Sequence, residues 1–319
     1  MIRTARLKAF AKLNLGLRVL YRRPDNYHEL RTVFQTISLA DELSVSFAPS
    51  RATSISIEGA PEIPNNLVER AARFVLQTLE IDAEVRFVLT KNIPAGAGLG
   101  GGSSDAAAVL LALPALAGKQ IAPDVLTQLA ARLGSDVPFF LHGGTALGLG
   151  RGEELYPVPD RGDKFVLLIT PEVHSSTAEA YRDLSETLTL ISLQNKLSSF
   201  QREVWQSSVC QSSVSQSGKD LTVNDFEGVV FARHPELRRI KDKLQRSGSE
   251  VASMTGSGSA VFGIFRDRGT LLRAQKSFTK EKSFAISFVS RPQYRFAYRR
   301  ALKLHTKGDL WPPQSRYAR

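Results

Sequence analysis

Fifteen residues, Lys91-Asn-Ile-Pro-Ala-Gly-Ala-Gly-Leu-Gly-Gly-Gly-Ser-Ser-Asp105, hold the most distinctive chemistry in this chain. Five glycines fall within the seven residues from Gly96 to Gly102, a large conformational cost unless the backbone must approach another group closely. Ala106 to Leu113 continues with helical composition, so the loop runs into a helix N-terminus. Free amides and the positive dipole end favour an anion there, and Ser103 and Ser104 add hydroxyl donors. Phosphate is the ligand such a loop suits. A Walker A loop needs Gly-Lys-Ser/Thr ahead of the helix, whereas Gly102 is followed by Ser103. Gly96-x-Gly98-x-x-Gly101 matches the dinucleotide fingerprint, but Leu116 to Asp124 is a turn where that fold needs a second strand ending in an acid. The match reflects glycine density.

Three other places carry polar groups in suggestive settings. Asp136 sits between Gly134 and Pro138, in a turn that presents a carboxylate able to take a proton; read locally, it is equally a turn aspartate bonding its own backbone. Lys12 lies amid apolar residues of a strand-like stretch, and Asn14, two residues on, shares its face. A solvated strand lysine is the plain alternative. Tyr27 and His28 follow the turn signal Pro24-Asp25-Asn26 and offer a ring that can stack on a base and an imidazole that can bond a pyrimidine edge.

Pro94-x-x-x-Gly98-Leu-Gly-Gly-Gly-Ser-Ser resembles the nucleotide loop of the galactokinase, homoserine kinase, mevalonate kinase and phosphomevalonate kinase (GHMP) superfamily. Ala11-Lys12-Leu13-Asn14-Leu15 resembles its first motif, and Met254-Thr255-Gly256-Ser257-Gly258-Ser259-Ala260-Val261-Phe262 its third, in the right order. Tyr27-His28-Glu29-Leu30, the triple glycine, Leu133 to Phe140, Pro171 with Thr177 and Tyr181, and Asn224-Asp225-Phe226-Glu227 narrow the resemblance. They are similar to the branch whose acceptor is 4-diphosphocytidyl-2-C-methyl-D-erythritol, in the non-mevalonate route to isoprenoids. The resemblance runs from about Lys8 to Val289.

It implies an α+β, two-domain GHMP kinase fold: an N-terminal ribosomal S5-like α/β domain, a C-terminal ferredoxin-like domain, and a site in the cleft between them. It implies an enzyme, a transferase that uses ATP and Mg²⁺ to phosphorylate the 2-hydroxyl of a cytidine diphosphate derivative. Asp136 would be the base and Lys12 the neighbouring cation, with Asn14 orienting the hydroxyl region. Tyr27, His28, Pro171, Thr177 and Tyr181 would line the cytidine pocket. Asn66, Leu67 and Lys91 would lie near adenine. Pro94, Gly96, Gly98, Leu99, Gly100, Gly101, Gly102, Ser103 and Ser104 would form the phosphate loop, with Gly256, Ser257 and Gly258 closing on the phosphates. Ser104 is the candidate Mg²⁺ contact; the other metal ligands are not read from the sequence.

The elements that must position these residues are partly visible. Leu43 to Phe47 and Thr53 to Ile57 alternate apolar and polar residues, and Val85 to Leu89 is rich in β-formers. Asn66 can cap a helix with the stripe Leu67, Ala71, Phe74, Val75 and Leu79. A further helix opens at Pro123 and closes before Gly134. Later, Lys164 to Thr170, Ala260 to Phe265 and Phe284 to Val289 predict strands, and Pro235 opens a helix carrying Leu237, Ile240 and Leu244. Pro157, Pro159 and Gly162 mark a boundary, giving an N-terminal domain over 1–160 and a second over 161–290. Residues 192–219, rich in Ser and Gln, predict a mobile insertion in which Phe200 and Trp205 pin a short helix.

With 319 residues, 42% apolar and 23% charged, a disordered or fibrous protein is excluded. No apolar run reaches the roughly 20 residues of a membrane span, and the lysines and arginines of the first 20 residues interrupt any signal-peptide core. A single cysteine, Cys210, forms no internal disulfide, and no Cys/His spacing suits structural zinc, so a cytoplasmic enzyme is expected. The net charge is +11, of which +7 falls in residues 291–319. That segment interleaves Tyr294, Phe296 and Tyr298 with arginines, as single-strand nucleic-acid surfaces do. Two alternatives therefore stand beside the main reading: another GHMP kinase of mevalonate or homoserine type, and, less favoured, a nucleic-acid-binding protein. A basic extension, disordered or docked, is the expectation for 291–319, and a monomer or weak homodimer that spans no membrane is the expected state.

Overall fold

Two long strands, β1 (Arg3–Arg22) and β2 (His28–Pro49), form the antiparallel hairpin around which the protein is built. The computed structural model describes residues 1–59, 65–162, 164–173, 175–185, 194, 196–198, 200 and 223–317. β2 also pairs with β4 (Ala83–Thr90) and β5 (Thr145–Leu149). With β3 (Ser54–Glu58), parallel to β4, and β6 (Glu154–Pro157), a six-stranded sheet results. Burial alternates strictly in β4, with Ala83, Val85, Phe87 and Leu89 inward and Glu84, Arg86, Val88 and Thr90 outward, so apart from Val88 the sequence alternation specifies a one-sided sheet.

Helices α1 (Leu67–Leu79), α2 (Gly101–Ala117), α3 (Pro123–Leu133) and α4 (Val137–His142) belong to this first unit. Asn66 caps α1 as its spacing predicts, accepting from the Val68 amide at 2.9 Å. α2 is buried continuously from Ser104 to Leu116, so it is apolar all round and carries no amphipathic stripe. The helix that follows the glycine loop is thus the central rod of the core.

The chain leaves the first sheet after Pro157 and enters the second at β7 (Phe165–Thr170), across the predicted boundary. This antiparallel sheet has the order β10-β7-β9-β8, with β8 at Val251–Met254, β9 at Val261–Phe265 and β10 at Lys282–Ser287. α5 (Thr177–Ser185), α6 (Phe226–Arg233), α7 (Pro235–Arg246) and α8 (Arg268–Ser277) accompany it. Leu237, Ile240 and Leu244 form the buried stripe of α7, as predicted. The far end of the hairpin reaches this second core through Leu17, Val19 and Leu30. A third cluster sets Leu13, Leu15 and Val33 against Val166, Leu168 and Phe262 and joins the two sheets.

Of the two forms expected for the basic extension, disordered or docked, the segment after Ser290 takes the docked one. Arg291–Leu302 is a helix, α9, opened by a capping box between Ser290 and Gln293. Tyr294, Tyr298 and Leu302 recur four residues apart and are fully buried in the first core. The Tyr294 hydroxyl donates to the Phe140 carbonyl, Trp311 Nε1 to Leu141 at 2.9 Å, and Ser315 Oγ to Ala115 at 3.0 Å. Two of the three aromatics that suggested a nucleic-acid surface are therefore core residues; Phe296 alone is exposed. The nucleic-acid alternative rested on reading a helical stripe as an interleaved surface.

Cys210, Trp205 and most of the Ser/Gln-rich stretch lie outside the described residues. Phe200 is described, and is buried in the third cluster. Among the described residues no helix is long and apolar enough to cross a membrane.

Candidate active site

The middle of β1 breaks its pairing with β2 twice, between Phe10 and Lys12 and between Asn14 and Gly16. Among the described residues β1 pairs as a strand only with β2, and three loops take up backbone donors along its other edge. The Lys12 amide donates to Leu99 in the glycine loop at 3.0 Å, the Asn14 amide to Thr255 Oγ1 at 3.0 Å, and the Leu17 amide to Val223 at 3.0 Å. Asp225 returns a bond from its own amide to the Leu17 carbonyl at 2.9 Å. One strand thereby gathers all three GHMP-like motifs and the Asn224-Asp225-Phe226-Glu227 segment.

The glycines of the second and third motifs meet face to face. A Cβ on Gly98, whose φ is +76°, would lie 2.4 Å from the Thr255 carbonyl oxygen, and one on Gly256 would lie 3.3 Å from Gly98 Cα. The first contact leaves no room for a side chain, and at Gly256 the φ of +58° together with the tight approach disfavours one. Asn224 Nδ2 holds the third loop from below, donating to the carbonyls of Met254 at 2.9 Å and Gly256 at 2.8 Å.

Lys12 is 4% exposed, which removes the solvated-lysine alternative. Its ammonium donates to Asn14 Oδ1 at 2.6 Å and lies 3.3 Å from Asp136 Oδ2. Asn14 is in turn fixed by Thr32 Oγ1 at 2.8 Å. Asp136 stands just before α4, yet its side chain makes no capping bond, and it remains 34% exposed to the cleft. The turn-aspartate reading of Asp136 fails on that point: the carboxylate faces Lys12 rather than its own backbone.

These groups line a cavity of about 1020 Å³, together with Tyr27, His28, Thr177, Tyr181, Gly98, Gly100, Gly256 and Ser257. His28 stacks on Tyr181 with ring centroids 4.8 Å apart, and Phe226 meets the edge of Tyr181 at 4.8 Å. Burial, with the nearby charge of Asp136, raises the Tyr181 hydroxyl above its ordinary pKa, so that phenol is neutral. Thr177 Oγ1 and Ser257 Oγ are 2.8 Å apart, tying α5 to the third loop.

Sequence reasoning missed three arginines on the same wall, Arg22, Arg151 and Arg182. The Arg151 guanidinium lies 4.7 Å from the centre of the Tyr27 ring. Its flanks are Gly150 and Gly152, both at positive φ, and that Gly-Arg-Gly turn is a signal the sequence offered. Nothing local marks Arg22 or Arg182.

The remaining expected residues fall elsewhere. Pro171 follows β7 and is not on the cavity wall. Leu99 turns its side chain into the third cluster and presents only its backbone. Pro94 and Gly96 lie in the bend that leads to the loop, and Gly258 packs against Met254. Asn66 and Leu67 begin α1 at the other end of the loop, where Leu67 Cδ1 comes within 3.8 Å of a Cβ built on Gly102. Ser103 is half-buried on the first turn of α2. Lys91 abuts Gly101 and is committed to two buried carboxylates, Asp41 and, at 2.8 Å, Asp105.

Asp41 is well served, its other oxygen accepting from the amides of Asn92 and Ile93 at 2.6 and 2.8 Å. Asp105 is not, for its Oδ1 is buried without a partner. Burial raises Asp105 to about 7, with Asp41 pushing the same way and Lys91 opposing.

Ser104 does not fit the role of a magnesium ligand. It is fully buried, and its Oγ donates to the Phe10 carbonyl at 2.7 Å. Asp105 is sealed in the same layer.

A glycine loop at the start of a buried helix, a second glycine loop packed upon it, and a buried lysine facing a cleft aspartate define a GHMP-type small-molecule kinase. The comparisons agree. Residues 66–144 match the model for the GHMP kinases N terminal domain, and residues 206–282 that for the GHMP kinases C terminal. The chain belongs to the GHMP kinases and, within them, to the family of 4-diphosphocytidyl-2-C-methyl-D-erythritol kinases. A relative of that name from Solibacter usitatus (strain Ellin6076) is 50% identical over 99% of this chain and 98% of its own. A crystal structure of 4-(cytidine 5'-diphospho)-2C-methyl-D-erythritol kinase, 34% identical, superposes with a TM-score of 0.72 over 90% of this chain and 99% of its own. Homoserine kinase from Cytophaga hutchinsonii, at 18% identity and a TM-score of 0.70 over 90% and 95% of the two chains, shares the fold.

Proposed function

We propose that this chain transfers the terminal phosphoryl group of ATP to the 2-hydroxyl of 4-diphosphocytidyl-2-C-methyl-D-erythritol, giving the 2-phosphate and ADP. The observation that carries the reading is the Lys12–Asp136 pair, 3.3 Å apart in a cavity that has the glycine loops at one side and Tyr27, His28 and Tyr181 at the other.

Phosphoryl transfer asks a protein for alignment and charge neutralisation rather than for covalent chemistry. The acceptor hydroxyl, set between Asn14 and Asp136, attacks the γ-phosphorus. Its proton passes to the Asp136 carboxylate as the new P–O bond forms and the bond to the β-phosphate oxygen breaks. Lys12, already desolvated and fixed by Asn14, stabilises the charge spread over the transferring group. Backbone amides from Gly98 to Ser103 cradle the ATP phosphates at the α2 N-terminus, whereas the Ser104 amide is spent on the Gly100 carbonyl at 2.9 Å. Arg22, Arg151 and Arg182 supply cations for the diphosphate of the acceptor, while Tyr27 and Tyr181 offer faces to its cytosine. Ser104 and Asp105, both buried, would supply no ligand to Mg²⁺, which would be held by the ATP phosphates and would spread their negative charge. We place the reaction in the cytoplasm, where ATP is available.

The mevalonate and homoserine alternatives leave the paired aromatics and the three cavity arginines without a task, since those acceptors carry neither a base nor a diphosphate. The test is ADP release with ATP, Mg²⁺ and each of three acceptors: the cytidyl compound, mevalonate and homoserine. Turnover with the cytidyl compound alone supports the reading; turnover with either of the others in its place overturns it.

A further inference from the structure

His28 can present its Nδ1 to the cavity either as a donor or as an acceptor, and a neighbouring hydroxyl decides between them. Ser185, the last residue of α5, has one hydroxyl proton, and it is spent on the Tyr181 carbonyl at 2.7 Å. Towards His28 Nε2, also 2.7 Å away, Ser185 Oγ can then only accept, so Nε2 carries the hydrogen. Burial, followed by the positive charge of Arg22, lowers the His28 pKa below the ordinary histidine value, which keeps the ring neutral. A neutral ring with hydrogen on Nε2 has a bare lone pair on Nδ1. Among the described residues no protein hydrogen bond to that nitrogen is made. The ring cannot swing away easily: Tyr181 stacks on it at 22°, and Phe226 holds the edge of Tyr181 at 86°.

We propose that Ser185 is a positioning residue that sets base specificity: by accepting from Nε2 it holds His28 Nδ1 as an acceptor, which selects a pyrimidine bearing an amine at C4 over one bearing a carbonyl. Cytosine offers an N–H to that lone pair. Uracil would set its carbonyl oxygen against it, leaving two acceptors facing each other in a half-closed site, an arrangement that discriminates far more strongly than a change of shape. The inference deepens the cytidyl reading given above and depends on it.

The test uses the full chain as wild type, Ser185→Ala and Ser185→Thr. One arm compares kcat/KM for the cytidyl acceptor and its uridyl counterpart. A second records the ¹⁵N shifts of the His28 ring. The wild type should favour the cytidyl compound by at least about a hundredfold and show hydrogen on Nε2. Ser185→Ala should narrow that preference about tenfold or more and give mixed tautomers, and Ser185→Thr should restore both. An unchanged preference in Ser185→Ala, or hydrogen on Nδ1 in the wild type, overturns the proposal. If the wild type turns over neither compound, the functional reading fails instead, and the nitrogen shifts still decide whether Ser185 sets the tautomer.

Discussion

Lys12 carries two duties that a single substitution separates from folding. Its ammonium is buried beside Asn14 and Asp136, and the cleft has no second cation so close to that carboxylate among the described ion pairs. Lys12→Met keeps the length and the apolar stem while removing the charge. We expect kcat to fall by about 10²–10³, the range for losing one preorganised group that stabilises transition-state charge. ATP affinity, measured by calorimetry, should change much less. A variant with normal kcat would show that the ammonium is structural. Asp105 gives a second prediction. Its pKa in the fold, about 7, lies above that of an unfolded aspartate, so the native state binds the extra proton between about pH 4 and 7. Stability from this group is therefore greatest at low pH and is lost as pH rises through 7. Thermal melts should show Asp105→Asn gaining on the wild type from pH 5 to pH 8; parallel curves would contradict it. At this scale the sequence was informative where a motif fixed identity, as at Lys12, Asn14, Asp136 and His28. It was silent on Arg22, Arg182 and Ser185, because nothing near them in the chain reveals which wall they will face.

Among the elements, the two glycine loops act as one part. Gly98→Ala would force a Cβ to within 2.4 Å of the Thr255 carbonyl at a positive φ, so the loops must separate. We expect a folded protein with ATP affinity reduced at least about tenfold, since the phosphate amides lose their alignment; unchanged affinity would mean that the close approach is incidental. The Asn224-Asp225-Phe226-Glu227 segment serves the same assembly. Asn224 holds the third loop, and Asp225 accepts from the Val19 amide at 3.0 Å. Glu227 accepts from Ser253 Oγ and the Met254 amide, both at 2.9 Å. The helix period was legible for α3 and α7, which bury one face. In α1 the buried stripe is Val68, Ala71, Ala72, Val75 and Leu76 and shares only Ala71 and Val75 with the expected one. β4 was legible from its β-forming residues, and β7 and β9, buried on both faces, from continuous apolar runs. The loop contacts along the other edge of β1 were not legible, for their partners lie roughly 90 and 240 residues away, at Leu99 and Thr255.

The whole molecule depends on its C-terminal segment in a way that charge arithmetic concealed. α9 closes the first core, with Tyr298 1% exposed and Tyr294 packed 5.0 Å from it and 5.6 Å from Phe10. Tyr298→Ala should cost about 3–5 kcal/mol in denaturant unfolding, as for other large aromatic truncations. A loss below about 1 kcal/mol would mean that α9 docks without supporting the core. Prolines and glycine suggested a boundary near residue 160, and the chain passes from one sheet to the other between Pro157 and Phe165, but composition did not show that residues 291–317 return to the first unit. The arginines that surround the buried tyrosines dominate composition, and only the four-residue spacing of Tyr294, Tyr298 and Leu302 distinguishes a docked helix from a basic tail. The cleft itself is a property of the whole: Lys12 comes from the first strand, Asp136 from the turn before α4, and Tyr181 from the second unit.

The account stands most directly on Asp136 as the proton acceptor for an alcohol held opposite ATP. The measurement is turnover of the cytidyl acceptor by the wild type and Asp136→Asn, with ATP binding to both proteins recorded by calorimetry. The account predicts that the wild type turns over and that the variant loses at least about 10³ in kcat while binding ATP within a few fold of normal. Turnover by Asp136→Asn at a rate near that of the wild type would contradict it.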